Sequence, residues 1–98
     1  MKLTREKIVE KLNRASFIGY AETGEGVLAI VRLGRLLIAG GTCNMGLLPS
    51  YLYFVPAGFD PDEVLSEFIA DIEESERGGS PSDELIEWGD LPLNRYED

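Results

Sequence analysis

A chain of 98 residues, 44% of them hydrophobic, has the size of one small domain with a single core. Its one cysteine excludes an internal disulfide, and the absence of histidine removes the commonest general base and most zinc-site patterns. No run approaches the ~18 apolar residues of a membrane-spanning helix, so no membrane association is expected and the cytoplasm is the predicted location.

The net charge of −9 is unevenly distributed along the chain. Residues 1–59 contain seven Lys and Arg against four Asp and Glu, whereas residues 60–98 contain two against fourteen. An acidic half of this kind repels nucleic acid and attracts basic protein surfaces, and the same charge also keeps a small protein soluble. The sequence leaves both interpretations open.

The first predicted element is a helix over residues 5–15. Thr4 can cap its first free amides, and Leu3 can contact Ile8 as a hydrophobic staple. An apolar stripe at helical spacing predicts the side that faces the core. This stripe consists of Ile8, Val9, Leu12 and Ala15.

Aromatic, β-branched and aliphatic residues punctuated by glycine then predict four strands. The predicted strands cover residues 17–22, 27–33, 36–41 and 51–55. Residues 23–26 have the composition of a hairpin loop, and Gly34-Arg35 fits a two-residue turn. The fold class is therefore α+β, a small single domain with an antiparallel meander of three or four strands flanked by an N-terminal and a C-terminal helix. The tight turn predicts three cross-strand pairs: Leu33 with Leu36, Val31 with Ile38, and Arg32 with Leu37.

Both faces of the predicted sheet are apolar. One face carries Val27, Ala29, Val31, Leu33, Leu36 and Ile38, and the other carries Leu28, Ile30, Leu37 and Ala39. If both helices cover the first face, the second face needs another cover. A homodimer that buries Leu28, Ile30 and Leu37 is the expected solution, with the C-terminal tail as the competing cover.

The clearest helix start lies at Asp60-Pro61. Asp60 can cap, Pro61 takes the first helical position, and Phe59 can staple to Val64. This helix is expected to end near residue 77, before two glycines. Its predicted apolar stripe is Val64, Leu65, Phe68, Ile69 and Ile72, and its outer acids include Asp62, Glu63, Glu67, Asp71 and Glu74.

Residues 78–98 are predicted to form an acidic tail that follows the domain of residues 1–77. Ser80 and Pro81 indicate a short helix, and the stretch from Asp90 is expected to be extended. Apolar residues in the tail favour docking onto the domain, while its acids and glycines also fit a flexible interaction segment. These apolar residues are Leu85, Ile86, Trp88, Leu91, Leu93 and Tyr96.

Residues 40–46 form a glycine-rich segment with one reactive side chain, the thiol of Cys43. Without a histidine nearby, this thiol is more typical of a small apolar filler in a loop. A ligand-binding domain or unusual enzyme centred on this loop is the alternative function, with Arg32, Thr42, Cys43 and Asn44 as its candidate residues. No cofactor or metal is predicted, because adjacent acids such as Glu73 and Glu74 do not face each other on a helix.

The predicted order of helix, strands and helix resembles that of the double-stranded RNA-binding domain. The second helix of that domain begins with a lysine cluster that binds phosphates, whereas Asp60-Pro61-Asp62-Glu63 stands at the matching place here. Tyr51 and Tyr53 share a strand face as base-stacking residues do, but no basic aromatic stripe accompanies them. Direct binding of nucleic acid is not expected.

The sequence therefore favours a non-catalytic interaction or regulatory module. Its acidic helix and tail are expected to bind a basic surface of a partner protein. A nucleic-acid-binding protein would be a fitting partner, because an anionic surface can occupy a phosphate-binding groove. The predicted contact residues are Glu67, Asp71, Glu74 and Trp88.

Overall fold

The computed structural model describes residues 4–24, 26–44 and 46–91 as an antiparallel sheet with two helices. The elements are α1 Arg5–Lys11, β1 Ser16–Thr23, β2 Gly26–Leu33, β3 Leu36–Cys43, β4 Gly46–Phe54, α2 Leu65–Glu76 and β5 Leu85–Glu87. The spatial order of the strands, β1-β2-β3-β4-β5, follows the chain. The predicted α+β meander flanked by helices is confirmed, and it has five strands.

The turn between β2 and β3 is the predicted two-residue turn. Gly34 adopts a φ of 62°, a left-handed conformation that glycine tolerates without a steric penalty. All three predicted pairs are present: Leu33 with Leu36, Val31 with Ile38, and Arg32 with Leu37.

The glycine-rich segment that was predicted to be a loop is part of the third hairpin of the meander, which β3 and β4 form. β3 continues to Cys43 and β4 begins at Gly46, five residues before the predicted start. The loop prediction for residues 40–46 was therefore wrong. The low strand propensity of glycine favoured a loop at these positions. Pairing between β3 and β4 overrides this weak intrinsic preference.

Helix α2 covers one face of the sheet. Phe68 and Ile72 are its fully buried residues, and they pack on Ile30 and Leu37 of the two central strands. This is the face that was expected to be buried in a homodimer, and α2 of the same chain covers it. The prediction that both helices share the other face was wrong, because the chain between β4 and α2 returns α2 to this side.

Helix α1 and the chain after α2 cover the opposite face. Ile8 of α1 packs with Leu36, Ile38 and Leu52, while Ile86 and Leu91 complete the cluster. Thr4 caps α1 as predicted, because its hydroxyl oxygen accepts a hydrogen bond of 3.2 Å from the amide of Lys7.

Two details of the first helix differ from the prediction. Regular α-helix ends at Lys11 and a 3₁₀ turn, Leu12–Arg14, follows it. Val9 was assigned to the core stripe but is 57% exposed. A seven-residue helix over a broad sheet presents one narrow line of contact, and Ile8 occupies it. The predicted staple of Leu3 lies outside the described residues.

Helix α2 begins later than predicted. Asp60 initiates a turn. Its carboxylate accepts a hydrogen bond of 2.9 Å from the amide of Asp62, and its carbonyl accepts one of 2.9 Å from the amide of Glu63. Regular helix starts only at Leu65. Phe59 is 52% exposed, so the expected staple is wrong. Arg35 holds the loop before this turn, because its guanidinium donates hydrogen bonds to the carbonyls of Pro56 and Phe59, each 2.6 Å long.

The segment after α2 forms a strand where a short helix was predicted. Gly78, with a φ of 78°, ends the helix region as expected, and Leu85–Glu87 then pairs with β4 as β5. Ile86 lies opposite Leu52 and is buried between the sheet edge and α1. Residues 92–98, including the predicted contacts of Leu93 and Tyr96, lie outside the described residues.

Candidate interaction surfaces

The outer side of α2 carries acidic residues without a basic residue in its last turn. Glu67 is exposed, and Asp71 and Glu74 are half-buried. Glu84, which follows the helix, belongs to the same region, because it and Glu67 both act on the hydroxyl of Tyr53. We refer to Glu67, Asp71, Glu74 and Glu84 as the acidic surface.

Asp71 has a structural role that its sequence context did not indicate. Its carboxylate accepts hydrogen bonds from both the amide of Ser82, at 3.3 Å, and the hydroxyl of Ser82. The two bonds attach the chain entering β5 to the middle of α2. This predicted partner-binding residue is therefore already engaged inside the molecule.

Glu74 and Glu76 also make contacts within the chain. Glu74 forms an ion pair of 3.4 Å with Arg77, and both side chains are substantially exposed. Such exposed pairs contribute little to stability. Glu76 accepts a hydrogen bond of 3.0 Å from the hydroxyl of Thr23 and thereby joins the end of α2 to the end of β1.

Tyr53 lies where the acidic surface meets the sheet. Burial raises the pKa of its phenol above the usual value, and the negative charge of Glu84 raises it further. Asp71 and Glu67 act in the same direction with smaller effects, and a hydrogen bond with Ser82 opposes them. The negative charges that act on this hydroxyl thus come from α2 and from the residue before β5.

Trp88 is not part of the acidic surface. It is half-buried on the opposite side of the sheet, where it packs against the cluster under α1. There it lines an open groove of about 620 Å³ between α1 and the β3–β4 hairpin. The other lining residues are Val9, Leu12, Asn13, Val31, Gly46, Leu47, Leu48 and Pro49. The four predicted partner-binding residues therefore lie on two different surfaces.

The residues of the alternative ligand site do not come together. Arg32 pairs with Leu37 near the Gly34 turn, and its Nε donates a 3.1 Å hydrogen bond to the Gly34 carbonyl. Thr42, Cys43 and Asn44 lie at the other end of β3. Cys43 lies six positions after Leu37 along β3, a distance of about 20 Å at ~3.4 Å per residue. A single site centred on these four residues is not formed.

Among residues 4–24, 26–44 and 46–91, no group of three Cys, Asp or Glu side chains is arranged to hold a metal ion. No helix in this part of the chain is long and apolar enough to cross a membrane. Comparison with protein-family models, with curated proteins and with solved structures found no match.

Three features of these surfaces were not predicted from the sequence. The groove depends on the β3–β4 hairpin, which was interpreted as a loop. Phe17 and Tyr20, which share an exposed face of β1, were not singled out because residues three apart in a regular strand point to opposite faces. The hydrogen bonds between Asp71 and Ser82 could have been suggested only by the polar character of the two residues, which many surface residues share.

Proposed function

We propose that this chain is a non-catalytic interaction module that binds a basic surface of a partner protein through the acidic surface. The observation that carries the proposal is the concentration of carboxylates on α2 and Glu84, whose combined potential acts on the phenol of Tyr53. Opposed charges steer such partners together and increase the rate of association. A phosphate-binding surface of a nucleic-acid-binding protein has the required charge.

The arrangement of α2 supports binding as a rigid surface. Phe68 and Ile72 are fully buried beneath the helix, and Asp71 connects it to the chain before β5. The carboxylates are thus presented from a fixed backbone, which reduces the conformational entropy lost on binding. Asp71 contributes charge to the surface but its oxygens hold Ser82, so Glu67 and Glu84 are the better contact residues.

A labelled decalysine peptide tests the proposal, with binding measured by fluorescence anisotropy at low salt. The double variant Glu67→Lys, Glu84→Lys is expected to bind about tenfold more weakly, because two exposed charge contacts of ~0.5 kcal/mol each are replaced by repulsion. Wild-type binding is also expected to weaken with added salt, which screens charges over ~10 Å at 0.1 M.

The matched control is Glu6→Lys, Glu10→Lys on α1, which changes the net charge by the same amount at two exposed positions. This control is expected to retain binding within about threefold. Equal weakening by both double variants would mean that decalysine responds to net charge alone, and it would remove the acidic surface from the proposed function.

A further inference from the structure

The exposed side of β1 and β2 is unusually apolar for a surface. Phe17 is 58% exposed, Tyr20 67% and Val27 56%. Phe17 lies opposite Val31, which lines the groove beside α1, and Tyr20 lies opposite Ala29. Directly opposed residues share a face, so this patch continues the side of the sheet on which α1 packs.

A β-bulge brings the two aromatic rings together. The register of β1 against β2 shifts between Phe17 and Gly19, which adds one residue on β1. Without the extra residue, Phe17 and Tyr20 would project to opposite faces. Their ring centroids are instead 5.1 Å apart in an edge-to-face arrangement. The bulge thus creates an aromatic pair on the surface next to the sheet edge.

The outer side of β1 is also an available strand edge. No strand pairs with it in the described part of the chain, and its eight residues include neither Lys, Arg nor Pro. Natural proteins commonly use such residues to prevent pairing at an edge. The opposite edge is blunted, because β5 has only three residues and Glu87 is exposed.

We propose that two copies of this chain pair along β1, antiparallel about a two-fold axis, and form one continuous ten-stranded sheet. The pairing adds backbone hydrogen bonds between the two β1 edges and covers Phe17 and Tyr20 against the second copy. It closes as a dimer, since each copy uses the edge strand that is the longer of the two in the described part of its chain. The proposal is independent of the acidic surface and of its partner.

The distribution of charge favours a second copy at this edge. A strongly acidic chain repels itself least where contact is made through a part with little charge, and β1 and β2 together carry one acid, Glu22, and one base, Arg32. β5 lies four strand spacings from β1, about 19 Å at ~4.8 Å per spacing. The acidic residues near β5 in the two copies therefore stay at opposite ends of the joint sheet.

The two-fold symmetry also keeps Glu22, the one acidic residue of β1, away from the same residue in the second copy. Opposed residues share a face when the two-fold axis passes between Tyr20 and the partner's Tyr20, with Ile18 as the extra residue of the bulge. Glu22 then lies opposite the partner's Phe17, and the two Glu22 carboxylates do not face each other. Like charges opposed across strands destabilise a sheet, and this register avoids them.

Sedimentation equilibrium of the full chain at tens of micromolar tests the dimer. Wild-type protein is expected to have about twice the 10.8 kDa mass of the chain. The double variant Phe17→Lys, Tyr20→Lys is expected to halve the measured mass, because two lysines at position 20 then oppose each other across the axis and the apolar contact of Phe17 is lost. Both positions are exposed, and circular dichroism verifies that the variant is folded.

The matched control is Leu48→Lys, Phe59→Lys, which adds the same charge at two exposed apolar positions outside β1 and β2. It is expected to remain dimeric. A monomeric wild-type chain would overturn the proposal. A monomer that binds an added β1 peptide but does not pair with a second copy of the chain would overturn it as well. A control that dissociates as fully as the β1 variant would also overturn it. Dissociation would then result from the added charge and not from the loss of pairing at the β1 edge.

Discussion

Gly40 occupies the closest approach between β3 and β4. A Cβ atom at this position would overlap the carbonyl oxygen of Leu48 and lie 2.7 Å from its carbon and 2.9 Å from the Cα of Pro49. All three are backbone atoms, which cannot move aside as a flexible side chain can. The bulge next to Gly40 in the β3–β4 register lies at the same place.

We therefore expect Gly40→Ala to lower the free energy of unfolding by about 1–3 kcal/mol, as overpacking does. Gly41→Ala is the control, since an added Cβ there meets no atom within 4 Å. Urea denaturation measures both. A Gly41→Ala variant as unstable as Gly40→Ala would show that strand propensity, and not the close contact, limits this hairpin.

The free energy of unfolding is expected to depend on pH through Tyr53. The folded state raises the pKa of its phenol through burial first and then through Glu84 and its neighbours, so the folded protein holds this proton more tightly than the unfolded chain. This contribution is fully present below the ordinary phenol pKa of ~10 and is lost as the pH rises through the higher folded-state value.

Wild-type protein is accordingly expected to lose more stability between about pH 9 and about pH 12 than Tyr53→Phe, which has no phenol to ionise. Chemical denaturation at the two pH values gives the difference for each protein. Parallel losses in wild type and Tyr53→Phe would contradict the proposed coupling.

At the scale of elements, α1 depends on one residue. Ile8 is 2% exposed and joins the cluster of Leu36, Ile38 and Leu52, whereas the adjacent Val9 faces the open groove. Helical periodicity placed both on the core side. The difference arises because a short helix lying on a sheet buries a narrower stripe than a helix in a bundle.

Ile8→Ala is expected to destabilise the protein by about 2–4 kcal/mol, and Val9→Ala by less than about 0.5 kcal/mol. Thermal or urea unfolding distinguishes them, and the two substitutions lie on the same turn with similar helix propensity. If both variants were equally stable, α1 would not be packed on the sheet through Ile8.

The position of α2 is controlled from both ends and the middle. Arg35 fixes the loop before it, Asp71 holds Ser82 at its centre, and Glu76 contacts Thr23 at its end. Each contact joins residues far apart in sequence. Together they keep α2 across the face formed by Ile30 and Leu37.

At the scale of the whole molecule, the sheet separates two surfaces of different character. One side carries α2 and the acidic surface, and the other carries α1, the groove with Trp88, and the exposed pair of Phe17 and Tyr20. The first is the surface proposed to bind a basic partner, and the second carries the apolar residues beside the proposed dimer edge. Two binding events on opposite sides need not exclude each other, which allows a dimer to present two acidic surfaces.

Several features could be predicted from short-range chemistry. Thr4 capped the first helix as expected, and the Gly34 turn set the register of β2 and β3. The two apolar faces of the sheet were also correctly sorted, because strand alternation depends only on local geometry. The placement of the candidate contact residues depended on more distant contacts: Trp88 lies on the side of the sheet that α1 covers, and the carboxylate of Asp71 accepts hydrogen bonds from Ser82.

The sequence by itself determined the α+β class, the antiparallel order of the first strands and the two-sided apolar character of the sheet. Only the tertiary structure decided that α2 and α1 take opposite faces, that residues 85–87 form a strand, and that a bulge unites Phe17 with Tyr20. The reason is physical: turns, caps and alternation are specified by residues a few positions apart. The side that a helix covers and the pairing of a weak strand depend instead on distant surfaces that must be buried together.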